Sequence, residues 1–450
     1  MQALQIPGRD ITSSQRSIIT DMLKAQEHRR RLANRAVRLL IICTYVIAFA
    51  LLSLSAIGLA QSSGGQSTPG LNPDVHFTNG QSSTRIPFDF EANEIYLRVK
   101  VNNSAPLKFG FDTGAAFSIL SARKAAVLGL KLQDDVNVRG IGGTAKGGLA
   151  ENISLQLPGI EIVHQRLVVV PFDFFPCDAQ DVDGVIGFDL MKNFVVEIDY
   201  ETKVVHLSDP STYQYDGHGD SMPLTMKGTP RVQARVSLPG QAPIAGLFEI
   251  DTGSDGALTI NLPFVKKHRL AQSARTTVAG SNTGVGGESK TIDMRLGRIE
   301  LGRYVIANPL VSLSQDAEGA LAVEDNDGPI GNEIFRRFKV TIDYSRQRMM
   351  LEPNTGLSDA FEHDMSGIVI DAEGKDCRVY KVAGVTDKSP AAEAGVKTGD
   401  EIIAIDGKPA KLFTSSQIEK MLMQNAARHS LRLARAGQTI VVRIKLRRLI

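Results

Sequence analysis

Two copies of Asp-Thr-Gly stand in this chain, within FGFDTGAAFSIL at residues 109–120 and LFEIDTGSDGALTI at residues 247–260. Each follows an apolar run and opens a tight turn, so each offers a carboxylate at the end of a strand. Two such carboxylates meeting across a pseudo-two-fold axis supply an acid and a base from one residue type. Carboxyl groups about 3 Å apart do not both ionise readily, so they share a proton. Asp112 and Asp251 are therefore the candidate catalytic residues, and Gly114 and Gly253 leave room for close backbone approach. Ser254 follows the second turn where Ala115 follows the first. A Ser254 hydroxyl donated to Asp251 would favour its ionised form and leave the shared proton on Asp112. Asp255 reads as a solvated turn residue.

Around the two turns a longer pattern repeats. Asp251 follows Asp112 by 139 positions, and the later features recur at a steady offset of 144. Gly140-Ile141-Gly142-Gly143 answers to Gly284-Val285-Gly286-Gly287, Asp183-Gly184-Val185-Ile186-Gly187 to Asp327-Gly328-Pro329-Ile330-Gly331, and Ile198-Asp199-Tyr200 to Ile342-Asp343-Tyr344. A unit of domain size is thus duplicated, with a five-residue insertion between turn and Gly-rich loop in the second copy. Such a repeat is too long for a solenoid. Alternating apolar positions in Ile95–Val101 predict a half-buried strand, and a second strand ends on Asp112. In the second copy, Val232–Leu238 and the strand entering Asp251 follow the same order. Short strands with Gly-rich turns predict an all-β lobe, with brief helices after Ser121 and Leu262.

These features resemble the retropepsin-like aspartic proteases across residues 85 to 352. In that family two lobes each contribute an Asp-Thr-Gly loop to one site that hydrolyses peptide bonds with an activated water. The resemblance implies that Thr113 and Thr252 lock the two loops together. It also implies that the Gly-rich segments 140–143 and 284–287 are flap tips that fold over an extended peptide. Val185-Ile186-Gly187 and Pro329-Ile330-Gly331 match the apolar-apolar-Gly turn that braces each catalytic loop. Farther on, SPAAEAGVKTGDEIIAIDGKPA at residues 389–410 resembles the PDZ domain of bacterial proteases. There Pro390 and Ala391 open a short helix, and Glu401–Ile405 form a strand. Ile418, Met421 and Leu422 are spaced for the helix lining a peptide groove within residues 415–425. Ser366, Gly367 and Ile368, after Met365, are candidates for a loop holding a C-terminal carboxylate by backbone amides.

Composition narrows the remaining classes. Net charge is +2 over 450 residues, and no nucleic-acid-binding motif occurs, so a nucleic-acid partner is not expected. Neither HExxH nor G-x-S-x-G is present, which disfavours metal and serine hydrolysis. No cofactor and no metal are expected. Asp325-Asn326-Asp327-Gly328 lacks the remaining ligands of a calcium loop and reads as a strand–turn cap, as Asp181-Val182-Asp183-Gly184 does in copy one. The three cysteines, Cys43, Cys177 and Cys377, are far apart and suggest no disulfide framework.

Leu39 to Ala60 is an uncharged, mainly apolar run preceded by Arg29, Arg30, Arg31, Arg35 and Arg38. It is long enough to cross a bilayer, with the basic side in the cytoplasm. Gly58-Leu59-Ala60 would also suit cleavage of a signal peptide, but the length of the run favours an uncleaved anchor.

The expected organisation is a basic cytoplasmic segment (1–38), an anchor or signal peptide (39–60) and a flexible linker (61–84). Lobe 1 (85–207), a linker (208–221), lobe 2 (222–354) and a PDZ domain (358–450) follow. The fold class is mainly β: two retropepsin-like barrels forming a pseudo-dimer plus a small α+β PDZ domain, behind an N-terminal transmembrane helix. The expected function is a membrane-tethered aspartic endopeptidase with its folded domains in the periplasm. Its partners would be protein or peptide substrates, and C-terminal peptides at the PDZ groove. Cleavage of residues 1–60 would instead release it into the periplasm or medium. Pairing of the lobes within one chain is favoured over a homodimer by the tether. The alternative from another class is an inactive, peptide-binding scaffold of the cell envelope.

Overall fold

Strand alternation sets the first lobe. Along Glu94–Val101 the residues Ile95, Leu97, Val99 and Val101 are buried while Arg98 and Lys100 face out, the period-2 pattern of a sheet with one wet face. The structure, a computed structural model, describes residue 72 and residues 74–172, 177, 181–274 and 276–450. The expected basic segment and anchor lie outside the described residues. Among the described residues, no helix is long and apolar enough to cross a membrane.

Each lobe places its Asp-Thr-Gly turn by the same device. In lobe 1 the strand Leu107–Phe111 pairs antiparallel with Glu94–Val101 and parallel with Gly184–Ile186. Lobe 2 repeats this, with Ile244–Ile250 between Thr229–Ser237 and the parallel strand Pro329–Ile330. The Asp112 N–H donates to the Ile186 carbonyl and the Asp251 N–H to the Ile330 carbonyl, both at 3.0 Å. A short helix follows each loop: Ala122–Val127, capped by the Ser121 side chain, and Leu262–His268.

The lobes join through one sheet. Val195–Asp199 runs antiparallel to Phe338–Asp343, and Glu197 lies opposite Thr341, its own counterpart at the offset of 144. The pseudo-two-fold axis therefore passes through that pair. Val204–Ser208 and Ser83–Pro87 extend this sheet on one side, and Arg348–Pro353 and Asp220–Lys227 on the other. One hydrophobic cluster runs through both lobes, from Leu97 and Phe109 to Phe248 and Ile342.

The spacer expected at 61–84 is partly folded. Val75–Phe77 pairs with Ile160–Ile162, and Ser83–Pro87 is a strand of the joining sheet, so strands are present about ten residues before the expected boundary. Apolar Val75 and Phe77 have a sheet edge to cover, which a Gly/Ser count does not register. Between the lobes, residues 209–219 form no strand but are pinned, for example by Arg346 donating to the Pro210 carbonyl.

A second hydrophobic cluster, including Met365, Tyr380, Ile402, Ile418 and Leu433, forms the C-terminal domain. Its sheet runs in the order Ile368–Glu373, Val379–Val385, Glu401–Ile405, Arg428–Arg435, Gln438–Lys445, which leaves Ile368–Glu373 at an edge. The groove helix spans Ser415–Leu422 and opens on a capping box between Thr414 and Gln417.

Two features hold this domain and the segment leading into it to the lobes. The fully buried guanidinium of Arg337 donates to the carbonyls of Glu333, Gly356, Leu357 and Asp359, pairs with the Glu333 carboxylate, and stacks on Phe361. The second feature overturns the cysteine expectation. Cys177 and Cys377, separated by 200 positions, form a disulfide with their Cα atoms 5.5 Å apart. Spacing along the chain does not reveal such a pair, because tertiary packing brings a loop of lobe 1 to a hairpin of the C-terminal domain.

Candidate active site

At the interface the two turns interlock through their threonines. The Thr113 N–H donates to the Thr252 hydroxyl oxygen and the Thr252 N–H to that of Thr113, each at 3.0 Å. Each hydroxyl then donates into the opposite lobe, Thr113 to the Ile250 carbonyl at 2.6 Å and Thr252 to the Phe111 carbonyl at 2.7 Å. Both threonines are buried, so these bonds act away from competing water.

The grip sets the carboxylates face to face. A Cβ added to Gly114 would fall 2.6 Å from Asp251 Cγ, and one added to Gly253 would fall 2.3 Å from Asp112 Cγ. Each glycine thus backs onto the aspartate of the other lobe, where no side chain fits. Asp112 and Asp251 hydrogen-bond to each other, which requires a proton between them. Asp112 Oδ1 accepts the N–H groups of Gly114 at 2.8 Å and Ala115 at 2.9 Å. Asp251 Oδ1 accepts that of Gly253 at 2.9 Å.

Both carboxyl groups are held above the usual carboxylate range. Burial, the charge of Asp112 and then that of Glu249 hold Asp251 well above the usual carboxylate range. Burial raises Asp112 too, but the bond from Asp251 and the amides of Ala115, Gly114 and Gly253 oppose it. Two backbone amides bond Asp112 Oδ1 and one bonds Asp251 Oδ1. The Ser254 hydroxyl packs against Gly331, where a Cβ would lie 2.8 Å from it. Asp255 is exposed, and its carbonyl accepts the Asn93 side chain.

Two more carboxyl groups border the dyad. Glu94, bonded by the Tyr96 hydroxyl, is pushed up to about 7 by burial. Glu249, bonded by the Thr229 hydroxyl, is likewise pushed up to about 7 by burial. Asp183 and Asp327 serve the backbone instead, accepting the N–H groups of Lys108 at 3.1 Å and Leu247 at 2.7 Å. Asp325 pairs with Arg231 at 2.8 Å.

The Gly-rich segments are the tips of two hairpins. Leu132–Gly140 pairs with Gly143–Leu157, and Thr277–Gly284 with Gly287–Arg295. The tips meet, with the Gly142 N–H donating to the Val285 carbonyl at 3.1 Å. A Cβ on Gly142 would lie 2.2 Å from the Gly287 backbone, so the contact depends on bare glycine. Arg139 adds a latch that the sequence reading missed, donating to the Gly319 carbonyl of lobe 2 at 2.6 Å.

Residues 97–190 match the family model described as aspartyl protease, and residues 381–435 the model described as PDZ domain. The chain carries a retropepsin-like aspartyl protease domain and a PDZ domain. DNA damage-inducible protein 1 of Saccharomyces cerevisiae is 28% identical over 119 residues, which are 26% of this chain and 26% of that protein. The chain thus spans about a quarter of that relative's length. An aspartic proteinase from Irpex lacteus aligns at a TM-score of 0.44 and 16% identity over 62% of this chain and 99% of the other. The aspartyl protease match includes Asp112 and stops within lobe 1, so Asp251 enters the site through the repeated Asp-Thr-Gly turn and the geometry of the interface, outside that match.

In the PDZ domain the turn expected to receive a carboxylate is already engaged. The N–H groups of Ser366 and Gly367 donate to the two Asp364 carboxylate oxygens, and that of Ile368 to the Ser366 hydroxyl oxygen at 3.0 Å. Asp364 did not stand out in the sequence, because its role depends on how the turn folds back on it.

Proposed function

We propose that this protein is an aspartic endopeptidase that works through Asp112 and Asp251 and recruits polypeptide substrates by its PDZ domain. The observation that carries the reading is the reciprocal Thr113–Thr252 grip, which brings the two carboxyl groups to one shared hydrogen bond. Asp112, the ionised member, takes a proton from a water as its oxygen attacks the scissile carbonyl carbon. Asp251 gives its proton to the carbonyl oxygen, yielding a neutral tetrahedral diol. Asp112 then passes its proton to the amide nitrogen, the C–N bond breaks, and a diol hydroxyl returns a proton to Asp251. The dyad ends as it began. The paired flap tips would part to admit an extended peptide and close over it.

The protein is further proposed to be held by residues 39–60 in the inner membrane, with its folded domains in the periplasm. The Cys177–Cys377 disulfide supports this, since such bonds persist in oxidising compartments. Assembly of one site within one chain is part of the same reading, supported by the pairing of Val195–Asp199 with Phe338–Asp343.

Cleavage of an unfolded protein mixture by the full chain in detergent, from acid to neutral pH, tests the reading. Cleavage should be lost with Asp112→Asn and with Asp251→Asn alike. No cleavage by the unaltered chain at any pH would favour the scaffold reading instead.

A further inference from the structure

The PDZ groove lies between the edge strand Ile368–Glu373 and the helix Ser415–Leu422. The edge strand pairs with Val379–Val385 alone among the described strands, so its outer row of N–H and C=O groups is open. Ile368, Ile418 and Leu422 are buried at the groove's base, and Ile370, Ala372 and Met421 are partly buried along it. An extended chain adding to this edge would place alternate side chains against that apolar row.

What closes the head of the groove decides which chain fits. A terminal carboxylate needs unpaired backbone donors there, and three successive N–H groups are spoken for. Asp364 Oδ1 accepts from Ser366 N–H at 3.2 Å and from the Ser366 hydroxyl at 2.6 Å, and Oδ2 accepts from Gly367 N–H. Ser366 Oγ accepts from Ile368 N–H at 3.0 Å. The turn is fastened from behind by Met365 N–H donating to the Leu422 carbonyl at 2.9 Å. An incoming carboxylate would meet the Asp364 carboxylate instead of free amides, like charge against like charge.

We propose that this groove takes an internal, extended segment of a partner polypeptide, apolar at alternate positions, and does not read a free C-terminus. An internal segment carries no charge at the head of the groove and needs only the strand edge and the apolar row. Asp364 is the residue that sets this specificity. The inference rests on the PDZ domain and not on turnover, so its test is a binding measurement on chain inactivated by Asp112→Asn.

Two random-peptide display libraries are panned against that full chain in detergent micelles. One ends in a free carboxylate, and the other continues past the random stretch into a polar tail. The best binder is then synthesised as the free acid, as the C-terminal amide, and embedded between polar flanks. Binders are expected from the tailed library, with acid and amide dissociation constants within about twofold. Ile370→Arg should weaken binding at least about tenfold. Asp364→Ala, by freeing the amides, should make the acid bind about tenfold better than the amide. Binders from the free-end library alone would overturn the proposal. So would a tenfold loss on amidation with the Asp364-intact chain, binding that ignores Ile370→Arg, or no binder in either library.

Discussion

Burial, the charge of Asp112 and then that of Glu249 hold Asp251 well above the usual carboxylate range, and under the proposed mechanism that shapes how turnover should depend on pH. Glu249 titrates near 7, so above neutrality its charge helps hold the proton on Asp251. Glu249→Gln removes that charge. The alkaline limb of the kcat/KM profile should move to lower pH, with a severalfold loss at pH 8 and little change at pH 5. Ser254→Ala should leave the profile where it is, because the Ser254 hydroxyl packs against Gly331 while backbone amides bond the two carboxyl groups. Glu94 makes a prediction about stability. Its folded-state pKa of about 7 exceeds its ordinary 4.5, so the folded chain binds more protons than the unfolded chain between those values. Its contribution is present in full below about 4.5 and is lost as pH rises to about 7, by up to about 3 kcal/mol. Thermal melts should show Glu94→Gln flattening the fall in Tm over that window.

At the scale of elements, the flaps and the bracing strands divide the labour. Parallel strands Gly184–Ile186 and Pro329–Ile330 hold the Asp-Thr-Gly loops from below, while the hairpins meet tip to tip through Gly142 and Val285. Gly142→Ala would drive a methyl into the Gly287 backbone. Turnover of a peptide substrate should drop at least about tenfold, or ~1.4 kcal/mol in the activation barrier, with Tm shifted little because the tips are outside the core. Arg139→Ala should give a smaller loss in the same assay. The strands and hairpins were legible in the sequence because local alternation and glycine turns specify them. The contact between the tips was not, since it depends on the angle at which the two lobes meet.

Across the whole molecule, the disulfide joins lobe 1 to the PDZ domain, and Arg337 holds the segment that leads into that domain. Mutating Cys177 and Cys377 together to serine should cost about 2–4 kcal/mol of stability. Cleavage of a short peptide that bypasses the groove should be unchanged, as the bond joins a loop of lobe 1 to the PDZ domain and neither cysteine belongs to an Asp-Thr-Gly turn. Arg337→Ala should be harsher, at least about 3 kcal/mol in denaturant unfolding, because it leaves the carbonyls of Glu333, Gly356, Leu357 and Asp359 without their buried donor. Arg337 follows Arg336 in an ordinary helix end, and nothing in that stretch of sequence announces the difference. Arg336 is part-exposed and paired to Glu333 and Asp359, while Arg337 is sealed beneath Phe361.

The duplicated Asp-Thr-Gly turns, the braces that follow them and the groove helix of the PDZ domain were all legible in the order of residues. Each is a short-range pattern in which neighbouring residue types fix backbone geometry. Left to long-range packing were the pairing of Glu197 with its own counterpart Thr341, the reach of Cys177 to Cys377, the burial that raises both aspartates, and the turn in which Asp364 takes up the Ser366 and Gly367 amides. Those outcomes depend on burial and on contacts between residues distant in the chain, or on how a turn folds back, and residue types in order carry neither.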